Sequence, residues 1–176
     1  MIRILAFARS HDYKTVTLNF QLAEASILSN LEKFIRWLMA NITLQLGIRS
    51  KLDEYWDLDL GVKISCTNYL KYILEQLSEP LVLALDEVDH LFEYPEIARE
   101  FFPLLRFWHE EAHKLEIWQR LRMIMVHSPD VYLSSNIERS PFNLGLPIVL
   151  PEFNLEQVKD LASRHQFQLK VNGTPP

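Results

Sequence analysis

The side chains best suited to chemistry lie together in Asp86-Glu87-Val88-Asp89, directly after the apolar run Leu81-Val82-Leu83-Ala84-Leu85. That run is bounded by Pro80 and Asp86, is too short for a helix and is apolar on both faces. This is the pattern of a strand buried in the middle of a parallel sheet. Open α/β sheets form their ligand crevice at the carboxyl ends of their strands, where these acids fall. A carboxylate at the first position can hold Mg²⁺, usually through water, because that hard ion takes oxygen ligands and keeps much of its hydration shell. A second carboxylate immediately after it points elsewhere and can orient or deprotonate an attacking water. A plainer reading stands beside this one: acidic residues often end strands and begin helices, where they cap and complement the dipole.

Other residues suggest other chemistry. His109-Glu110-Glu111-Ala112-His113 matches H-E-x-x-H on a predicted helix, the arrangement of a zinc-dependent hydrolase with a glutamate base. Glu111 and the flanking Lys114 are charged, which favours a solvated helix face, and no third ligand is evident beyond Glu138 in an irregular loop. Trp37 and Trp108 fall on apolar helix faces without a basic stripe beside them, so core packing explains them better than stacking on bases. Cys66 near a helix start is read as a small buried residue rather than a reactive thiol.

The elements that must position these groups follow from periodicity. Ile2, Leu5, Ala6 and Arg9 have helical spacing, with nothing before Ile2 to act as N-cap. Residues 14–20 alternate Val16, Leu18 and Phe20 with polar partners, a strand. An amphipathic helix is expected over 26–46, ending at Gly47, with Ser29 and Glu32 as a capping box if the helix proper starts there. A polar loop over 49–61 leads to a helix over 65–77. After the buried strand, a helical stripe runs from Ile97 to Ala112, with Pro103 expected to kink or restart it. Residues 122–126 form a second buried-strand candidate and 128–145 a loop. A short last strand is expected at 147–151, then a helix capped by Asn154 and running to about His165. Strands alternating with helices argue a parallel α/β sheet with crossover helices.

Composition narrows the function classes. The 176 residues are 48% hydrophobic and 23% charged, a globular chain long enough to bury a sizeable core. Eighteen Lys and Arg against 23 Asp and Glu give a net charge of −5 with no basic block, so no nucleic acid is expected as a partner. The single cysteine cannot form an intrachain disulfide, which fits a reducing, cytoplasmic compartment. The apolar start stops at Arg9 without a cleavage-site pattern, and no apolar run approaches the roughly 20 residues needed to cross a bilayer. No membrane is expected as a partner.

Apolar residues followed by Asp-Glu form the Walker B pattern of ATP-hydrolysing P-loop proteins. From Ile2 to about Gln166 the chain resembles the AAA-like domain family of bacterial STAND-type P-loop NTPases. The resemblance is carried by residues 81–89, by Phe101-Phe102-Pro103-Leu104-Leu105-Arg106, by residues 122–128, and by Leu150-Pro151-Glu152-Phe153 leading into Gln157-Val158-Lys159-Asp160-Leu161-Ala162. It implies a three-layer P-loop NTPase-like sheet with Mg-ATP as the cofactor of intact relatives. By the same resemblance, Asp86 is a magnesium ligand, Glu87 the catalytic residue, Ser128 the sensor of the γ-phosphate, and Arg139 a candidate phosphate contact against the plainer reading of a surface arginine. The departure is in the phosphate loop: no G-x-x-x-x-G-K-[ST] occurs, and none of the 4 glycines (Gly47, Gly61, Gly145, Gly173) adjoins a Lys-Ser or Lys-Thr pair. The expectation is therefore an incomplete domain over 1–166 that lacks its first strand and phosphate loop, with a disordered tail over 167–176. Such a chain is expected to be inactive as an ATPase and to hold no cofactor by itself. Its partner would be another protein or a second copy, and the alternative is a non-enzymatic interaction module.

Overall fold

The structure, a computed structural model, describes residues 1–57, 59–128 and 145–165. The chain divides into two compact units, Met1–Leu144 and Gly145–Pro176. The first unit holds α1 (Ile2–Arg9), β1 (Lys14–Asn19), α2 (Ala25–Leu28), α3 (Leu31–Leu46), α4 (Leu52–Tyr55), α5 (Val62–Gln76), β2 (Leu81–Asp86), α6 (Pro95–Glu111) and β3 (Leu121–Met125), with 3-10 turns at Phe20–Leu22, Val88–Glu93 and Glu116–Arg120. The described part of the second unit holds one helix, α7 (Leu155–Arg164), whose Asn154 and Gln157 form a capping box.

Three parallel strands in the order β1-β2-β3 make the sheet, with Val16 opposite Leu83 and Leu83 opposite Met123. Because side chains alternate, odd and even positions of β2 serve different layers. Leu81, Leu83 and Leu85 enter the large core shared with Phe34, Ile35 and Leu38 of α3, Leu70 and Ile73 of α5, and Phe101 and Leu105 of α6. Val82 and Ala84 meet Leu5 and Ala8 of α1 on the opposite face, with Ile124 beside them. The result is the α/β three-layer arrangement, helices on both sides of a parallel sheet. No described helix is long and apolar enough to cross a membrane.

The large core is bound together by rings that meet edge to face. Phe20, Phe34 and Phe101 lie 5.0–5.7 Å apart by centroid, and Trp108 stacks on Trp118 at 6.3 Å while its indole N–H donates to Thr67 Oγ1 at 3.0 Å. Trp37 packs against this core and Trp108 lies within it, as their apolar helix faces require.

Several boundaries differ from the periodicity, each for a local reason. The helix expected over 26–46 is two: α2 ends at Leu28, and α3 begins after Asn30, whose side chain accepts from the Lys33 N–H at 3.0 Å. Ser29 does not form the capping box, since its hydroxyl donates back to Ser26 O at 2.9 Å. Gly47, at φ 66°, closes α3: its N–H reaches Leu44 O and that of Ile48 reaches Thr43 O, a Schellman end that needs a left-handed residue. The fifth helix starts at Val62 rather than Ser65. Pro103 does not interrupt α6: it sits on the exposed side while Phe101, Phe102, Leu104, Leu105 and Trp108 are buried. Burying those side chains, about 1.5–3 kcal/mol each, outweighs the roughly 3 kcal/mol that an interior proline costs.

The strand expected at 147–151 is not formed. Residues 146–154 have no regular structure, and Ile148, Val149 and Leu150 are 71–87% exposed. Pro147 and Pro151 lack the N–H a ladder needs, and the described residues of that unit offer no partner strand. The expected tail over 167–176 lies outside the described residues.

The outer edge of β1 is sealed by a side chain. Thr17 N–H donates to Gln45 Oε1 at 3.0 Å and Gln45 Nε2 donates to Thr17 O at 2.8 Å, so one carboxamide takes the place of a neighbouring strand. Gln45→Ala should lower stability by about 1 kcal/mol, the net worth of such bonds near water, and should speed hydrogen exchange at Thr17 while leaving Leu83 unchanged. Urea unfolding and exchange measured by NMR check both, and an unaltered Thr17 rate would refute the sealing role.

Candidate functional site

Asp86 is the last residue of β2, paired in register with Asn19 of β1. The five residues before it are buried and it is half-buried, so the chain turns polar where it leaves the two flanking layers. Glu87, also half-buried, lies in the left-handed region at φ 56°, ψ 42°. That conformation costs a non-glycine residue about 1–2 kcal/mol, so something must hold it. The fully buried Val88 and Leu91 anchor the 3-10 turn that follows, His90 N–H donates to Glu87 O at 3.1 Å, and Val88 N–H donates to Val126 O at 3.1 Å.

The Val88 bond ties the acidic turn to the end of β3. Val126 N–H donates to Leu85 O at 2.8 Å, so Val126 continues the ladder beside Asp86. His127 and Ser128 come next, both half-buried, with His127 Nδ1 2.9 Å from Ser128 O. The fold thus brings Asp86, Glu87 and Ser128 to the same end of two adjacent strands, although they are some forty positions apart in sequence.

Two further residues belong to this end. Asn19 lies next to Asp86 across the β1–β2 pair, its Oδ1 accepting the Gln21 N–H at 2.9 Å. Only strand pairing reveals it, because nothing in its local sequence marks it. Asp89 has a buried Oδ1 with no hydrogen-bond partner among the described residues. Such an atom calls for a proton, a water or a cation. The acidic oxygens suit a hard ion such as Mg²⁺, but among the described residues no three acidic, histidine or cysteine side chains converge to hold a metal. The donor set therefore fits magnesium only as a partial shell, completed by water and by phosphate oxygens from a substrate.

The remaining candidates lie elsewhere. His109 and His113 are both exposed, with ring centroids 6.0 Å apart, and α6 ends at Glu111 so that His113 falls in the turn beyond it. Lys114 donates to Glu111 at 2.8 Å, an ion pair that holds the ammonium more firmly protonated than usual. Cys66 is fully buried, and burial pushes its thiol pKa far up, away from the thiolate needed for reactivity. Glu100, by contrast, is held below the ordinary carboxylate range by its hydrogen bond from Lys63. Arg139 and Glu138 lie outside the described residues.

A family model described as an AAA-like domain matches residues 1–174. No curated protein and no solved structure matches the chain.

The exposed histidine pair makes a direct prediction. Purified protein should contain no stoichiometric zinc, and His109→Ala should leave the unfolding free energy within about 0.5 kcal/mol of the parent, as for other exposed positions. Elemental analysis near one zinc per chain would restore the hydrolase reading.

Proposed function

The chain belongs to the AAA-like domain family, and from that membership we propose that it is a nucleotide-switch domain of the STAND type whose Walker B carboxylates stand at the end of β2. One observation carries this reading: the most buried strand, in the middle of a parallel sheet, ends in Asp86-Glu87 with Ser128 at the end of the strand beside it. In this reading Asp86 positions Mg²⁺, usually through water, Glu87 aligns the attacking water, and Ser128 meets the terminal phosphate. The half-buried setting of the acids favours it, since a metal or phosphate is worth more where water is partly excluded.

The phosphate cradle is not among these 176 residues. A backbone N–H nest with a lysine is what grips the β- and γ-phosphates, and no G-x-x-x-x-G-K-[ST] occurs here to build one. The residues present supply the metal and water side of the site, and such parts act as a unit rather than additively. The 176-residue chain by itself is therefore inactive as an ATPase. A second reading, a non-enzymatic interaction module, draws on the apolar residues that α1 exposes, with Ile2 83% and Phe7 63% accessible.

Calorimetric titration with Mg-ATP and phosphate-release assays separate the readings. The 176-residue chain should bind ATP only in the millimolar range, a binding energy of about 4 kcal/mol, and hydrolyse none. With a family-type first strand and phosphate loop joined ahead of Met1, Mg²⁺-dependent binding should appear. In that extended protein Asp86→Asn should weaken binding through the metal, while Glu87→Gln should leave binding largely intact and slow hydrolysis by about 10²-fold or more. Tight ATP binding by the unextended chain, or indifference of the extended protein to both substitutions, would make Asp86 and Glu87 ordinary strand-end carboxylates.

A further inference from the structure

We draw no further inference here: the strongest candidate, the open cavity between the α2–α3 junction and the start of α6, walled by Leu28, Leu31 and Ile97 and rimmed by Glu93, Glu96 and Glu100, carries nothing, because those acids already have His90, Arg99 and Lys63 beside them and nothing in the structure shows what covers it.

Discussion

The whole arrangement depends on one constraint: β2 has no polar face. Leu81, Leu83, Ala84 and Leu85 are completely inaccessible and Val82 nearly so. A strand of this kind is stable only between two layers, so helices must cover both faces of the sheet, and crossover connections supply them. α3, α5 and α6 answer the leucines, and α1 answers Val82 and Ala84. The same constraint places the acids, because carboxylates at Asp86 and Glu87 are tolerated only where the strand emerges from those layers. The burial of β2 and the placement of the acids are thus consequences of one short run of residues.

The turn that follows is where stability is given up. Glu87 is held in a left-handed conformation and Asp89 keeps a buried oxygen without a partner among the described residues, both within four residues of a strand that otherwise breaks no rule. Departures from local preference tend to concentrate where a protein acts. The backbone bonds from Val88 to Val126 and from Val126 to Leu85 fix the turn against the end of β3. That places Asp86 and the turn after it beside the segment that leads to Ser128.

What the sequence made legible follows the same physics. The buried strand, the amphipathic faces of α3, α5 and α6, and the acids at the strand end are readable because burial imposes composition residue by residue. The start of α3 is less so: residues 26–28 fit the helical period, and the break shows only in the side chains, with Ser29 donating back to Ser26 O while Asn30 accepts the Lys33 N–H. Pro103 misleads because its cost depends on which side of the helix it occupies. The run at 147–151 has strand composition, yet a strand exists through its partner, which composition cannot supply. Gln45 on Thr17 and Asn19 beside Asp86 join residues distant in sequence or on different strands, and no local pattern records either pairing. At the end of β2 the position of the acids is readable from the sequence, and Ser128 is suggested there by the family resemblance, whereas the left-handed conformation of Glu87 and the buried Asp89 oxygen, unpartnered among the described residues, are not.

In the proposed nucleotide site the carboxyl end of β2 supplies the metal side. Titration with Mn²⁺, an oxygen-preferring paramagnetic stand-in for Mg²⁺, followed by amide line broadening in NMR spectra, tests it most directly. Weak broadening centred on residues 86–89 and reaching Ser128, strengthened when ATP is added and lost in Asp86→Asn, is the expected result. Broadening confined to other exposed acids, such as Asp53 and Glu54, and unaffected by Asp86→Asn, would contradict it.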